Sequence, residues 1–250
     1  MKTIWLSANL LGYELLKEAI SLNEVEIGAV ITLSRDSKTK MYDGIGIDEW
    51  KKLGIPVFGI SRADESIDLM TKLAPDLIVM CGWRQIVSKE FLGIPPLGVV
   101  GFHPTLLPQG RGPAPIINSI LEGFTRSGVT MFYADEGLDS GDIVGQERFN
   151  IEEDDYAQDV YDKVIKSGKN LIRKYLPLIL GNKTPKEKQD ESKATIFKRR
   201  DMHDNEIKLS DPLEEIYRKI RAFSKPYLGA YVKEGKKKLI IWQAERQDDE

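Results

Sequence analysis

Apolar and polar positions alternate along the first hundred residues in blocks that predict strands and helices in turn. KTIWLS (2–7) and VEIGAVITL (25–33) are apolar runs typical of strands, and LLGYELLKEAISL between them has helical spacing. PDLIVMCG (75–82) and LGVVGFH (97–103) are almost continuously apolar, as in strands covered on both faces. This alternation predicts the α/β class, with a doubly wound, mainly parallel sheet.

The second half of the chain predicts further elements and a boundary. SGVTMFYAD (127–135) has the alternation of a strand, and a long helical pattern runs up to Gly181. The polar run NKTPKEKQDESK has the composition of a linker, and a helix and a hairpin turning at Glu234 are predicted beyond it. The predicted organisation is a core at 1–181, a linker at 182–193 and a small C-terminal α+β subdomain at 194–250.

One histidine falls where such a sheet binds ligands. His103 ends the strand LGVVGFH, and the chain has only one other histidine, His203. Ligands of doubly wound sheets bind at the carboxyl ends of the strands, so His103 is expected at the functional edge. A carboxylate beside it would support general-base chemistry, and the loop DEGLDSGD offers Asp135, Glu136, Asp139 and Asp142. The residues alone do not choose among these acids. The alternative is a histidine that caps a turn beside a solvated acidic loop.

Composition and the absence of several motifs exclude some classes of ligand and partner. The chain has 250 residues and a net charge of −3, so no overall cationic field attracts a nucleic acid, although a local patch remains possible. Its single cysteine, Cys81, excludes an internal disulfide and a multi-cysteine metal site, and its apolar surroundings predict a buried, inert thiol. Phosphate-loop, dinucleotide-binding, zinc-protease and serine-hydrolase motifs are absent from the sequence. No apolar run approaches the ~18–20 residues of a membrane span, so a cytoplasmic protein without a membrane partner is expected. The net charge adds the expectation of no nucleic-acid partner.

Two blocks of sequence carry a resemblance to a known family. HPTLLPQGRGPAPI, followed by SGVTMFYADEGLDSGDIV, resembles the signature of the folate-dependent formyltransferases. The later stretch RRDMHDNEIKLSDPLEEIYRKIRAFSKPYLGAYV is similar to the sugar-nucleotide N-formyltransferases within that family. The resemblance implies a Rossmann-like formyltransferase core followed by the small subdomain.

The resemblance also implies a reaction. A formyl group would move from N10-formyltetrahydrofolate, a co-substrate, to an amino group of a nucleotide-linked amino sugar, with no metal. His103 would act as the acid/base and Asp139 as its carboxylate partner. The resemblance implies a role in cell-surface polysaccharide biosynthesis and a homodimer. The departure at position 101, described next, suggests an unusual acceptor such as a CMP-linked nonulosonic acid.

One position departs from the family pattern. The family has an asparagine two residues before the histidine, which donates a hydrogen bond to the formyl oxygen, and this chain has Gly101 there. Loss of one such donor costs on the order of 10²–10³ in rate. His103 itself, a water or a neighbour such as Asn118 would have to replace it, or the protein binds its ligands without catalysis.

The residues that would hold the two substrates follow from the same resemblance. CGWRQIV corresponds to the family segment whose backbone holds the pterin ring. The cofactor-binding residues implied are Arg84, Gln85, Ile86, Asp135 and Gly137. The acceptor-binding residues implied are Ser7, Asn9, Tyr42, Thr105, Arg111, Asn118, Arg199 and Arg200. Arg111 would meet an acceptor phosphate or only cap its loop. The polar loop 34–46, with Lys40, would close over the nucleotide or be a mobile surface loop.

Two other functions compete with sugar formylation. Methionyl-tRNA formylation would use the same chemistry on a nucleic acid, and strong salt dependence of tRNA binding would indicate it. A non-enzymatic folate or nucleotide-sugar binding protein is the third possibility, because of Gly101. Stabilisation by a nucleotide sugar, together with formyl gain by that sugar, would favour the first function.

Overall fold

A seven-stranded sheet forms the centre of the part of the chain that the computed structural model describes, residues 1–39, 41–201 and 203–247. Its strands are β1 (Lys2–Ser7), β2 (Glu26–Leu33), β3 (Val57–Ile60), β4 (Leu77–Cys81), β5 (Val99–His103), β6 (Arg126–Tyr133) and β7 (Ile143–Asn150). They lie in the order β3-β2-β1-β4-β5-β6-β7, with β1 to β5 parallel. Strand β6 is antiparallel to β5, and β7 is antiparallel to β6. The predicted doubly wound, mainly parallel sheet is confirmed.

Helices cover both faces of this sheet. They are α1 (Leu10–Ile20), α2 (Ile47–Lys51), α3 (Ile67–Leu73), α4 (Lys89–Leu92), α5 (Pro115–Leu121), α6 (Ala157–Leu180) and α7 (Leu213–Phe223). Within β1, Trp5 belongs to one buried apolar cluster, whereas Ile4 and Leu6 belong to another. Successive side chains of a strand point to opposite faces, so the continuous apolar runs reflect burial on both sides. None of the described helices is both long and apolar enough to span a membrane.

The strand order reverses between β1 and β4, and this point shapes the edge where ligands bind. Asn9 follows β1 and begins α1, where its Oδ1 accepts a hydrogen bond of 3.0 Å from the Gly12 amide. Gly82 follows β4 with φ +60°, and a Cβ there would lie 2.1 Å from Asn9 Nδ2. Only glycine allows the two chain segments to approach this closely.

The C-terminal part packs back onto this edge. Helix α7 contacts α5, and strands β8 (Ala230–Glu234) and β9 (Lys237–Ile241) form the predicted hairpin. The segment predicted as a linker is hydrogen-bonded to the core, as its bridge between Glu187 and Ile143 shows. Its polar composition gave no sign of these contacts, because they are made by backbone and polar side chains. Lys40 of the predicted closing loop, and the last three residues of the predicted subdomain, lie outside the described residues.

Candidate active site

A cavity of about 860 Å³ opens at the carboxyl ends of the central strands. Asn9 after β1, Gly82 after β4 and His103 at the end of β5 line one side of it. Residues of the C-terminal part, among them Arg199 and Tyr227, line the other side. The cavity therefore lies where the topology of a doubly wound sheet places a ligand.

Most of the residues implied by the sequence meet in this cavity. Those that line it are His103, Asp139, Arg84, Gln85, Ile86, Asp135, Gly137, Asn9, Tyr42, Arg199 and Arg200. Four residues implied for acceptor binding do not line it: Ser7, Thr105, Arg111 and Asn118. All four are buried, and each is hydrogen-bonded within the protein.

The His103 ring is held in one tautomer by the backbone. His103 is 5% exposed, and its Nε2 lies 2.7 Å from the carbonyl oxygen of Gly110. A carbonyl oxygen only accepts hydrogen bonds, so Nε2 carries the hydrogen and Nδ1 is left with a lone pair. The loop carbonyl, and not a carboxylate, therefore fixes the tautomer. Nδ1 is thus the nitrogen able to accept a proton.

Asp139 is the acid that the fold brings to this nitrogen. Its Oδ2 lies 3.5 Å from His103 Nδ1 and accepts a hydrogen bond of 2.8 Å from the Gly112 amide. Asp135, by contrast, accepts bonds from Gly137 and Ser140 and so holds its own loop together. When Nδ1 takes a proton, the Asp139 carboxylate lies beside the new positive charge. The pair can therefore act as a general base with an electrostatic partner.

Phe132 occupies the space next to Gly101. The two residues are paired across β5 and β6, and a Cβ on Gly101 would lie 3.1 and 3.2 Å from two ring carbons of Phe132. An asparagine at 101 would therefore have to push this ring aside. Asn118, considered above as a replacement donor, is fully buried and donates to the carbonyls of Pro113 and Lys198. Its amide hydrogens are engaged within the protein.

Restoring the asparagine is expected to need a second change. Gly101→Asn alone should destabilise the protein by about 1–3 kcal/mol, because the added side chain meets the Phe132 ring and forces it to move. Combined with Phe132→Leu, the asparagine has room, and the loss in stability should shrink. Thermal unfolding of the two single variants and the double variant measures this coupling. Strictly additive losses in the double variant would contradict the proposed competition for space.

The segment after β4 forms one wall of the cavity and is hydrogen-bonded to the loop after β3. Gln85 is fixed, since its Oε1 accepts from the Ala63 amide at 2.9 Å and its Nε2 donates to the Ser61 carbonyl at 2.8 Å. Ile86 is 92% exposed at the cavity mouth. The buried thiol of Cys81 ends β4, and burial raises its pKa, as expected of an inert cysteine. A wall of fixed backbone with an exposed apolar side chain suits a flat heterocyclic ligand.

A buried carboxylate, Asp43, lies beside Asn9 and holds the cavity residues around it. Its Oδ2 accepts from Asn9 Nδ2 at 2.9 Å and from the Tyr161 hydroxyl at 2.5 Å. Burial, with Asp43 nearby, raises the pKa of Tyr161, which keeps this hydroxyl protonated as a donor. Arg84 lies over the ring of Tyr42, and Tyr42 packs edge-on against Tyr227. Aromatic rings and guanidinium groups of this kind bind bases and phosphates.

Several cavity residues were missed by the sequence analysis. The cavity is also lined by Phe132, Asn205, Phe223 and Tyr227. All four lie within the stretches that carry the family resemblance, but no side-chain chemistry singled them out as site residues. Their sequence positions are far apart, and only packing of α7 and the following loop against the sheet edge brings them together. Among the described residues, no group of three or more histidine, cysteine or acidic side chains is arranged to hold a metal ion.

Known proteins show the same architecture. Methionyl-tRNA formyltransferase from Bacillus velezensis is 36% identical over 79% of this chain and 63% of its own length. The chain thus spans less than two thirds of that relative. A sugar N-formyltransferase from a Shewanella species superimposes with a TM-score of 0.78 at 18% identity, covering 100% of this chain and 99% of that one. The N-formyltransferase of Helicobacter canadensis, solved with folinic acid and dTDP-3-aminofucose, gives 0.67 at 24% identity, covering 89% and 80%.

A family model gives the assignment that these likenesses suggest. The formyl transferase model matches residues 22–176, and the model of the formyl transferase C-terminal domain matches residues 200–250. The first match alone covers more than half of the chain, and it includes both His103 and Asp139. The chain therefore belongs to the formyl transferase family.

Proposed function

We propose that this protein transfers a formyl group from N10-formyltetrahydrofolate to an amino group of a nucleotide-linked amino sugar. The observation that carries the proposal is the His103–Asp139 pair, 3.5 Å apart at the edge of a cavity large enough for two substrates. A relative of the same fold was solved with both a folate and a nucleotide amino sugar, which supports the pairing of these two ligand classes.

The reaction follows from the orientation of the histidine. The neutral amine of the acceptor attacks the formyl carbon, and a tetrahedral oxyanion forms. His103 Nδ1 takes the proton released by the attacking nitrogen, while Asp139 stabilises the resulting imidazolium. The bond from the formyl carbon to N10 then breaks, and N10 receives the proton. The products are the formamide and tetrahydrofolate, with no covalent enzyme intermediate.

The choice of a sugar nucleotide depends on the wall opposite His103. Tyr42 and Tyr227 provide aromatic surface for a base, and Arg199 faces the same cavity as a phosphate-binding cation. Arg200 also lines the cavity, but Asn118 and Asp204 engage its guanidinium, so it acts as part of the wall.

Methionyl-tRNA is the second candidate acceptor, because the relatives at 34–36% identity are named methionyl-tRNA formyltransferases. The reacting pair serves either acceptor, since both present a primary amine. The net charge of −3 favours the smaller ligand, because a tRNA needs a cationic surface. Binding experiments separate the two.

Nucleotide sugars are expected to stabilise the protein. With UDP-, dTDP-, GDP- and CMP-linked amino sugars tested beside folinic acid, saturation at ~100 times Kd should raise Tm by about 5–10 °C. Mass spectrometry after incubation with N10-formyltetrahydrofolate should show one added formyl group on the sugar that stabilises. His103→Asn is the matched control, expected to keep the Tm shift and lose the formyl gain.

The outcomes discriminate between the candidates. Formylation of initiator methionyl-tRNA with no response to any sugar would replace the sugar with tRNA as acceptor. Its binding would then weaken steeply with added salt, as counterion release requires. Stabilisation by folate and sugar without any formyl gain would identify a binding protein and contradict the proposed reaction.

A further inference from the structure

The chain following α6 crosses both loops that carry the reacting pair. We call residues 187–197 the crossing segment. The loop after β5 holds Gly110 and Gly112, which contact His103 and Asp139, and the loop after β6 holds Asp139 itself. Backbone bonds join the segment to the first loop, where Thr195 donates to Pro108 and Phe197 donates to Arg111. Glu187 pairs with Ile143 at the start of β7, directly after the second loop.

A single side chain of the crossing segment bridges the two loops. Gln189 Oε1 accepts from Arg111 Nε at 3.1 Å and from Nη2 at 2.8 Å. Its Nε2 donates to the carbonyls of Asp139 and Gly141, both at 2.8 Å. These four bonds use the whole hydrogen-bonding capacity of one amide group. A fully satisfied amide of this kind fixes the spacing between the segments that it joins.

Arg111 transmits the position of Gln189 to the histidine. It lies between Gly110 and Gly112 in sequence and is buried. Glu191 also binds it, with Oε2 at 3.0 Å from Nη1 and Oε1 at 2.6 Å from Nη2. This hydrogen bonding with Glu191 raises the pKa of Arg111, so the guanidinium stays charged and in place. Arg111 is therefore engaged within the protein and holds its loop in place.

Asp139 needs such support because of its backbone. Its φ is +50°, in the left-handed region that residues with a side chain rarely adopt. The Gln189 amide holds its carbonyl in this conformation, which turns the carboxylate toward His103. An unusual backbone conformation persists at such a site only where surrounding contacts hold it in place.

We propose that Gln189 is a positioning residue, which holds Asp139 and the Gly110 carbonyl on opposite sides of the His103 ring. It touches neither substrate in this role and acts through the two loops. The kinetic consequence rests on the proposed formyl transfer, whereas the effect on the His103 ring does not.

Two substitutions test the bridge by kinetics. Gln189→Met removes every hydrogen bond at similar length, and Gln189→Glu keeps an acceptor for Arg111 while losing the donation to Asp139. Both should lower kcat by about 10- to 100-fold, because misplacement of a reacting group by ~1 Å has effects of this size. KM for the folate and for the acceptor should change less than about threefold, since Gln189 itself does not line the cavity. Glu187→Gln is the control, because Glu187 is exposed and joins the core by its backbone alone.

Nitrogen-15 NMR of the histidine tests the same bridge without any substrate. The chain has two histidines, so His203→Gln leaves His103 as the single signal source. In that background the neutral ring should show a protonated Nε2 and an unprotonated Nδ1, with well-separated shifts. Adding Gln189→Met or Gln189→Glu should bring the two shifts together, as the ring begins to exchange tautomers.

The two measurements separate the possible failures. Variants with unchanged kcat and unchanged nitrogen shifts would overturn the positioning role. A wild type that formylates no acceptor, with shifts that merge in the variants, would support the positioning role and remove the proposed function. Should Gln189→Met unfold, Gln189→Glu decides, since it retains the Arg111 contact that stabilises the loop.

Discussion

His103→Asn is expected to lower kcat by about 10²–10⁴-fold, the range that a positioned general base contributes. The asparagine amide has no basic nitrogen to replace Nδ1, so the attacking amine must lose its proton to water. Affinity for both substrates should be nearly unchanged, because the ring lines the cavity only at its edge. Kinetics with saturating folate and acceptor measure the loss.

The fold should survive this change with a modest cost. The variant loses the Nε2 bond to the Gly110 carbonyl, and one lost hydrogen bond costs about 0.5–1.5 kcal/mol, since the Thr105 hydroxyl, 3.4 Å away, still donates to this carbonyl. His203→Asn is the matched control, since His203 is exposed and its bond to Asp201 is made by its backbone amide. Full activity in His103→Asn would remove the assignment of His103 as the base.

Asp139→Asn is expected to have the second largest effect. The amide oxygen still accepts the Gly112 N–H bond, so the loop keeps its geometry, but the negative charge is gone. A charge pair at 3.5 Å is worth about 2–5 kcal/mol at an effective dielectric constant of roughly 20–40. The corresponding rate loss is about 30- to 3,000-fold. The lower half of this range applies because the Asp139 side chain is 23% exposed and partly screened by water.

A double variant shows whether the two groups act as a unit. Because Asp139 stabilises the charge on His103, its removal should cost little once His103→Asn has been made. The matched control is Asp142→Asn, which removes a negative charge from the same loop; the Asp142 carbonyl bond to Tyr133 uses only backbone. Equal losses in Asp142→Asn and Asp139→Asn would mean that general charge, and not contact with His103, is responsible.

Local sequence determined the strands, most helices and the edge on which His103 and Asp139 lie. Buried parallel strands must be apolar throughout, and each run stands out against polar turns, as LGVVGFH does before the loop of His103. The carboxyl ends of such strands share one edge, so the meeting of this loop with the acidic loop after β6 was predictable in outline. Choosing Asp139 from four acids needed the family signature, because the four have the same chemistry.

Tertiary structure alone decided how the pair is held. The Gly110 carbonyl sets the tautomer of His103, Phe132 fills the space beside Gly101, and Gln189 joins two loops from a segment that composition predicts as a linker. Gln189 lies 78 positions from Arg111 and 50 from Asp139 in the chain. Hydrophobic periodicity reports which side of an element faces the core, whereas these contacts are polar and distant in sequence. They form only when the fold brings separate loops within hydrogen-bonding distance.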